Sequence, residues 1–459
     1  MTEPLWTARE VALATGAALI DGDDWQATGL SIDTRTLVPG DLFIALHAER
    51  DGHEFVAKAY EAGAVAALVD HRVGSGAQAL VDDSLAGLQR MGVQARMRSN
   101  AYRVAVTGSV GKSSVKEAIA TIFRAVGPSH ASEKSYNNHW GVPLSLAKMP
   151  KITMRSVFEL GMNHAGEIAP LSQMVCPHVG LITRIAPAHI EALGTLEAIA
   201  DEKAQVWSSM ADNGVAIIPA DDPLGEKLAA LAMAQGVSRV VTFGTNQGAD
   251  VWVSAFDTGP NESRGQMVVF GEPHNFSLKV SGTHWAGNAA AAVAATLFCG
   301  VESADAVAAL ATLEPLPGRG GAVQIAVSGG QATLLDDAYN ANPVSMAAAL
   351  ETLGGWPAKR RIAVLGDMLE LGEEARQYHE ALAWNLQQAG IDQVYCTGPF
   401  MKGLFYSLPK KRQGGWFENI EDLQDSLHKI VIPGDVLLLK GSNGSRIHQI
   451  ASALKRGTS

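Results

Sequence analysis

Cysteine is scarce in this sequence. The 459 residues contain only three, Cys176, Cys299 and Cys396, which lie far apart and are odd in number. They do not have the close spacing of cysteine metal ligands. The sequence therefore argues against a cysteine-bound metal and predicts buried free thiols in a reducing compartment.

The sequence also has few positive charges and no long apolar run. Lys and Arg number 36 against 47 Asp and Glu, a net charge of −11, which argues against a nucleic-acid partner. The most apolar stretch, residues 285–301, is mostly alanine and too short to cross a bilayer. The N-terminus has no basic-then-apolar signal peptide, and residues 7–10 instead match a helix capping box. We predict a cytoplasmic protein without a membrane span.

A glycine turn between an apolar strand and an amphipathic helix is the most informative segment. The apolar run 104–106 precedes TGSVGKS at 107–113, and an apolar stripe at helical spacing follows until Gly127 and Pro128. Such a turn presents backbone N–H groups to a phosphate. Lys112 would add a positive charge there, and the Ser113 hydroxyl would bind Mg²⁺. A shortened phosphate loop, and hence nucleotide binding, is the favoured interpretation.

The order of strands and helices predicts an α/β protein with three domains, at 1–98, 99–320 and 321–459. The hydrophobic content of 47% is ample for their cores. The middle region alternates predicted strands, at 157–160, 179–185, 215–219 and 240–243, with mostly helical segments, which indicates a doubly wound, mostly parallel sheet. The last region repeats the alternation, with strands predicted at 333–336, 361–365, 394–396 and 436–439.

Two residues follow predicted strands where a nucleotide site would lie. Glu159 ends an apolar strand, and a carboxylate there, beside Ser113, is a usual ligand of Mg²⁺. By itself such a residue is commonly a plain surface group. His189 follows the strand predicted at 179–185 and is a metal-ligand candidate beside Glu159, although a single histidine is usually structural.

Lys203 occupies the apolar face of a helix predicted over 195–210, four residues after Ile199 and four before Trp207. One interpretation is a packed stem whose ammonium reaches water. The other is a desolvated amine of lowered pKa, able to take up CO₂ as a carbamate near a metal. Periodicity leaves both open.

Polar loop residues form further candidate binding groups. Asp33, Thr34, Arg35 and His53 are suited to a polar ligand, but equally to plain solvated loops. The amides of Asn137 and Asn138, like Asn163 and His164, suit polar substrate recognition without specifying the substrate. A second glycine-rich turn, KGSNGS at 440–445, is suited to an anion.

Seven motifs together resemble the Mur ligases of peptidoglycan synthesis, and the resemblance runs from about Asp33 to Arg446. They are TGSVGKS (107–113), YNNHWGVP (136–143), ELGMN (159–163), AHIE (188–191), DAYNANP (337–343), GDMLELG (366–372) and KGS (440–442). The fifth and sixth are similar to the family member that adds D-alanyl-D-alanine. The arginine-containing signature of the sibling that adds lysine or diaminopimelate is absent from the sequence.

The resemblance implies an ATP-dependent ligase that joins D-alanyl-D-alanine to UDP-N-acetylmuramoyl-tripeptide through an acyl phosphate. It implies a small N-terminal α/β domain that binds the UDP substrate, a central P-loop-type domain that binds ATP, and a Rossmann-like C-terminal domain that closes on ATP and binds D-alanyl-D-alanine. Two Mg²⁺ ions and a carbamylated Lys203 would assist, and we expect a monomer.

The implied roles map onto individual residues. The residues implied to hold ATP are Thr107, Gly108, Ser109, Val110, Gly111, Lys112, Ser113, Asn288, Arg319 and Asp337. Those implied to hold metal are Ser113, Glu159, His189 and Lys203, and Lys112, Glu159, His189 and Lys203 would be catalytic. Those implied to hold the other substrates are Asp33, Thr34, Arg35, His53, Asn137, Asn138, Tyr339, Asn340, Asn342, Lys440 and Ser442. The chain departs from the family pattern at His139, Arg184, Trp285 and Asn443, away from the residues implied to hold metal or phosphate.

Other functions remain open at this stage. A folylpolyglutamate ligase shares the ATP domain but has no need of residues 1–98 in this form. A regulatory P-loop ATPase would hydrolyse ATP without an acceptor. A nucleotide-sugar binding protein would not need Lys112, Ser113 and Glu159. Dependence of ATP turnover on both the UDP-linked peptide and D-alanyl-D-alanine separates these alternatives.

Overall fold

A computed structural model of the protein describes residues 3–456. The first part of the chain forms a five-stranded sheet, in the spatial order Ala18–Ile20, Gln78–Leu80, Ala66–Val69, Asp41–Ile44 and Gly29–Ser31. Only the pairing of the first two is antiparallel. A ribbon of Trp6–Thr7 and Gln26–Ala27 lies beside it, and the helices are Ala8–Thr15, Gly52–Phe55 (3₁₀), Val56–Glu61 and Ser84–Met97. The predicted capping box of Thr7 and Glu10 is confirmed.

The central sheet has nine strands within the described residues. Their spatial order is Glu272–Leu278, Ser263–Val269, Val251–Thr258, Arg239–Gly244, Val215–Pro219, Val179–Ile182, Tyr102–Thr107, Arg155–Glu159 and Ser129–Ala131. The surrounding helices are Lys112–Val126, Gly141–Ala147, Ile168–Val175, Ile190–Leu193, Leu196–Ala204, Gly225–Ala234, Trp285–Leu297 and Ser303–Ala309, with 3₁₀ turns at Gln205–Trp207 and Leu310–Thr312. The predicted doubly wound, mostly parallel sheet is confirmed.

Two expectations for this region were wrong. The predicted alternation of strands and helices fails from Val251 to Leu278, which form an antiparallel three-stranded meander. Its buried residues alternate, as at Val251 and Val253, which is the period of a half-buried strand. The helix predicted over 195–210 ends at Ala204 and continues as the 3₁₀ turn Gln205–Trp207.

The last part of the chain forms a six-stranded sheet, parallel except for its first pair. The order is Gly321–Val327, Gly330–Asp336, Asp435–Lys440, Arg360–Gly366, Gln393–Thr397 and Gln413–Phe417. The helices are Pro343–Gly354, Ala375–Gln388, Pro399–Ser407, Ile420–Ile430 and Ile447–Arg456, with 3₁₀ turns at Gly372–Glu374, Lys410–Arg412 and Asn443–Ser445. All four predicted strands are present. The two outermost strands were missed because edge strands are partly exposed and lack a continuous apolar run.

Three α/β sheets in succession agree with the predicted fold class, while the domain boundaries at 98 and 320 remain predictions. Between residues 3 and 456, no helix is both long and apolar enough to cross a membrane. Cys299 and Cys396 are buried free thiols, and burial raises the pKa of both, whereas Cys176 is partly exposed.

Candidate active site

The glycine turn after Tyr102–Thr107 closes tightly against the neighbouring strand. Gly108 has φ +144°, and a Cβ there would lie 1.9 Å from the Thr183 hydroxyl, so no larger residue fits without a shift. Thr183 in turn donates to the carbonyl of Val110 at 2.5 Å. Gly111, at φ +88°, begins the helix Lys112–Val126. The helix N-terminus is thereby held at the carboxyl edge of the sheet.

This turn has unused polar groups. The hydroxyls of Thr107 and Ser109 are buried and have no hydrogen-bond partner among the described residues. The Lys112 ammonium donates to the Gly108 carbonyl at 2.7 Å. Burial lowers the pKa of Lys112, and nearby Glu159 opposes that shift. Buried donors without acceptors, beside a desolvated cation, fit an anion such as a phosphate.

Glu159 is held beside the turn by two donors. Its carboxylate is buried, with 1% exposure, and accepts hydrogen bonds from the Ser113 hydroxyl at 2.5 Å and the Asn137 amide at 2.8 Å. Carboxylate and hydroxyl oxygens are the ligand type that Mg²⁺ prefers. The side chains of Ser113 and Glu159 therefore fit this ion.

Lys203 is almost completely buried. Its side chain is 1% exposed, and among the described residues its amine has no hydrogen bond or ion pair. Burial lowers the pKa of Lys203 well below its ordinary value of 10.5, the charge of Lys112 lowers it further, and Glu202 opposes the shift. Of the two interpretations left open by periodicity, the desolvated amine is the one present.

His189 lies on a left-handed turn, at φ +60°, before the short helix Ile190–Leu193. Its imidazole Nδ1 is paired with the carboxylate of Glu370, a residue of the last sheet's connecting loop. Hydrogen bonding to His189 lowers the pKa of Glu370. The recorded contact of His189 is thus with the C-terminal part of the chain, which sequence reasoning did not anticipate.

One large cavity of about 1250 Å³ collects most of the predicted site residues. The predicted residues that line it are Ser109, Val110, Gly111, Lys112, Ser113, Asn137, Asn138, Glu159, His189, Asn288, Arg319, Asp337, Tyr339, Asn340, Asn342 and Lys440. The predicted residues outside its lining are Thr107, Gly108, Lys203, Ser442, Asp33, Thr34, Arg35 and His53. The walls come from both the central and the last sheets.

Two charged contacts form the wall opposite the phosphate loop. Lys440, almost fully buried, donates to Asp337 at 2.7 Å and to the Asn340 carbonyl at 3.1 Å. Burial raises the pKa of Asp337, and Lys440 opposes that shift. The Arg319 guanidinium stacks over the Tyr339 ring at 4.2 Å and bonds the Ser135 hydroxyl at 3.2 Å. Arg319 thus joins the linker to the central sheet's loops.

Comparison with known proteins identifies the family. Two family models match the chain, the Mur ligase middle domain over residues 106–296 and the Mur ligase, glutamate ligase domain over 318–443. The UDP-N-acetylmuramoyl-tripeptide–D-alanyl-D-alanine ligase of Rickettsia prowazekii is 30% identical, over 97% of this chain and 99% of that protein. This chain belongs to the Mur ligase family.

Other relatives match nearly the whole chain. The ligase of the same name from Bacillus subtilis is 32% identical over 93% of each chain. A MurF crystal structure from Acinetobacter baumannii superposes with a TM-score of 0.85, at 29% identity and 99% coverage of both chains. The MurF ligase of Thermotoga maritima, solved in complex with ADP, has a TM-score of 0.76 at 26% identity, over 94% of this chain and 97% of that one.

Several predicted substrate residues of this Mur ligase have structural contacts of their own. The Asn138 amide oxygen accepts from the Gly141 N–H at 2.9 Å, and Asn342 caps the helix Pro343–Gly354. The Ser442 hydroxyl accepts from the Leu369 N–H at 2.9 Å, donates to the Ala341 carbonyl at 3.3 Å and is not itself part of the cavity lining. Ser442 therefore supports the loop after the strand Arg360–Gly366 instead of lining the site.

The four N-terminal candidates lie apart from the cavity. Arg35 forms a bidentate ion pair with Asp33, at 2.6 Å for the closer contact, and Thr34 lies between them in sequence. His53 is buried and hydrogen-bonded to Asp51 at 2.6 Å. Their role in holding a UDP group remains a prediction.

Two further cavity residues were missed. Thr183 locks the phosphate loop, and its position after a strand was the available signal. His284 lines the cavity and keeps an exposed surface, and desolvation by its neighbours together with Lys440 lowers its pKa to about 4. The expectation that the four departures from the family pattern lie away from the phosphate residues was wrong for Arg184, whose carbonyl accepts from the Ser109 N–H at 2.7 Å. Trp285 is buried, and His139 and Asn443 are exposed.

Proposed function

We propose that this Mur ligase joins D-alanyl-D-alanine to UDP-N-acetylmuramoyl-tripeptide with cleavage of ATP, as a step of peptidoglycan precursor synthesis. The observation that carries the proposal is one cavity lined by the phosphate loop on one side and by Arg319, Asp337 and Lys440 on the other. Relatives that match this chain over nearly its whole length are named for this activity.

The reaction divides into two displacements. A carboxylate oxygen of the peptide attacks the γ-phosphorus of ATP, forming an acyl phosphate while the bond to ADP breaks. The amine of D-alanyl-D-alanine then attacks the acyl carbon, loses a proton, and phosphate leaves. Direct condensation of a carboxylate with an amine is uphill in water, which is why the carboxylate is activated first.

The residues around the phosphate loop supply positioning and charge. The Lys112 ammonium and the helix N-terminus would hold the phosphates in line with the attacking oxygen. Mg²⁺, for which the side chains of Ser113 and Glu159 are suited, would neutralise phosphate charge when bound. Asn137 keeps the Glu159 carboxylate in place by the 2.8 Å hydrogen bond.

The opposite wall would protect the acyl phosphate. Arg319 and Asp337 reach the cavity from the linker and the last sheet, so movement of that unit opens or closes the site. Closure excludes water, which would otherwise hydrolyse the activated peptide. His189 and Glu370 would hold the two units together in the closed arrangement.

We also propose that the amine of Lys203 is carbamylated. Burial lowers the pKa of the Lys203 amine, which favours the uncharged form that reacts with CO₂, and the product is a carboxylate able to approach a metal. ¹³C NMR of the protein in ¹³C-bicarbonate should show one carbamate resonance that is absent from Lys203→Met. A resonance unchanged in Lys203→Met would contradict it.

Phosphate release from ATP tests the activity. Purified protein receives UDP-N-acetylmuramoyl-tripeptide and D-alanyl-D-alanine, and each is omitted in turn, with Lys112→Ala as the inactive control. We expect release to need both, together with formation of the UDP-linked pentapeptide by mass spectrometry. Steady release without either substrate would favour a regulatory ATPase and refute the ligase. The cytoplasmic location and the monomeric state remain predictions, the latter open to light scattering.

A further inference from the structure

Three imidazoles and two carboxylates gather in the N-terminal sheet, away from the large cavity. They are His47, Asp51, His53, Asp70 and His71. The strands Asp41–Ile44 and Ala66–Val69 are parallel neighbours, so their carboxyl ends meet at one edge. His47 follows the first strand, Asp70 and His71 directly follow the second, and His53 lies on the turn Gly52–Phe55. Chain topology therefore creates the cluster from three separate segments.

Asp70 is the shared partner of all three imidazoles. Its Oδ2 lies 2.7 Å from His47 Nε2. Its Oδ1 lies 2.7 Å from His71 Nδ1 and 3.3 Å from His53 Nε2. The His53 ring also stacks on His71, with centroids 4.3 Å apart. One carboxylate thus faces three nitrogen donors.

The His53 ring is held in the orientation and tautomer of a metal ligand. It is 3% exposed, and its Nδ1 donates to Asp51 Oδ1 at 2.6 Å. Its Nε2 accepts a long hydrogen bond from the Asp70 N–H at 3.2 Å, from which we assign the ring proton to Nδ1 and a lone pair to Nε2. Binding of an ion at Nε2 would replace this hydrogen bond. A histidine whose second nitrogen donates to a carboxylate is the usual arrangement around protein-bound zinc.

Spacing and chemistry select the ion. Ligand atoms about 2.0–2.1 Å from a tetrahedral ion are about 3.3 Å apart, the separation of His53 Nε2 from Asp70 Oδ1. The His71 ring, whose side chain is 57% exposed, needs to retreat by about half an ångström, which an exposed side chain permits. Imidazole with a single carboxylate suits Zn²⁺, Co²⁺ or Ni²⁺ and not Mg²⁺, which prefers oxygen.

We propose that His53, Asp70 and His71 bind one divalent transition-metal ion of the Zn²⁺ class, with water completing the coordination. The ion fastens together the loops that follow the two neighbouring strands. The site lies outside the large cavity and shares no residue with the Mg²⁺ ligands Ser113 and Glu159, while His53 is also one of the residues implied to hold the UDP group.

Cobalt titration of the full-length protein tests the site. Protein stripped with EDTA is returned to buffer containing excess Mg²⁺, which occupies the oxygen-ligand sites, and Co²⁺ is added while visible absorption is recorded. We expect one equivalent with nitrogen-ligand bands, displaced by Zn²⁺. His71→Ala should weaken binding by at least ~10-fold. His428→Ala, an exposed histidine of the C-terminal helix Ile420–Ile430, should bind as the parent does.

A second measurement guards against a folding defect. Zn²⁺ should raise the thermal unfolding temperature of the parent protein and not that of His71→Ala or His71→Gln, since a ligand of the folded state stabilises by mass action. His71 is largely exposed, so both variants should keep the parent's circular dichroism and phosphate release. The proposal would be overturned if the parent failed to bind Co²⁺ saturably. It would also be overturned if His71→Ala and His71→Gln bound Co²⁺ as tightly as the parent does, and the cluster would then be a hydrogen-bond network only.

Discussion

Glutamine in place of Glu159 should lower turnover strongly while leaving most of the stability. The carboxylate is 1% exposed, and each of its oxygens accepts one donor, from Ser113 and from Asn137. Glutamine keeps the shape and one acceptor oxygen, so one charge-assisted hydrogen bond is lost, at a cost of about 1.5–3 kcal/mol. Glu159→Ala leaves both donors unpaired and opens a cavity, so it should destabilise the protein further.

The effect on turnover should be larger than the effect on stability. Removing one preorganised charged group from a buried site typically costs ~10²–10³ in kcat. Phosphate release with both substrates present measures kcat, and urea unfolding followed by fluorescence measures stability. Glu117→Gln is the matched control, because Glu117 is a half-buried carboxylate paired with Arg124 at 2.7 Å on the same helix as Ser113, away from the large cavity.

Glu117→Gln should keep near-parental turnover. If Glu159→Gln also kept turnover within a few fold of the parent, the assignment of this carboxylate to the phosphate and Mg²⁺ site would be wrong. If both variants lost turnover in proportion to lost stability, the effect of Glu159 would be structural.

Three further predictions follow from buried or strained groups. In CO₂-free buffer, where the Lys203 amine is free, the unfolded chain binds a proton there more tightly than the folded chain does. The free energy of unfolding should then rise with pH between the lowered folded pKa and 10.5, by up to about 1.4 kcal/mol per pH unit. Lys203→Met should lack this component of the slope in urea unfolding at several pH values, and equal slopes would contradict a desolvated amine. Gly108→Ala should weaken ATP binding by ~10- to 100-fold in calorimetry, because the alanine adds about 1–3 kcal/mol of strain to the turn. Adding Thr183→Ala should restore part of the lost affinity, since it removes the 1.9 Å clash. If no affinity returned, the strain would come from the positive φ of residue 108 and not from the clash. Asp337→Ala should lower the free energy of unfolding by about 3 kcal/mol, since it leaves Lys440 buried without its charged partner. Adding Lys440→Met should recover part of this loss. An unchanged urea midpoint in Asp337→Ala would mean that the ion pair contributes nothing to stability.

Local pattern was sufficient for much of the fold. The strand, turn and helix around residues 102–126 are contiguous in sequence, so periodicity and two glycines predicted them together. The strands of the last sheet were predicted because buried parallel strands are continuous apolar runs. The meander at Val251–Leu278 was missed because short alternating strands with one exposed face give a weaker signal.

The active site divides in the same way. By itself the sequence determined the phosphate loop and placed Glu159 at the end of a strand, because both depend on a few consecutive residues. Whether Lys203 reaches water, which partner His189 contacts, and which residues surround Asp70 depended on segments far apart in sequence. Only the tertiary structure decided these, since packing of distant elements sets the burial and neighbours of each side chain, and periodicity carries no information about either.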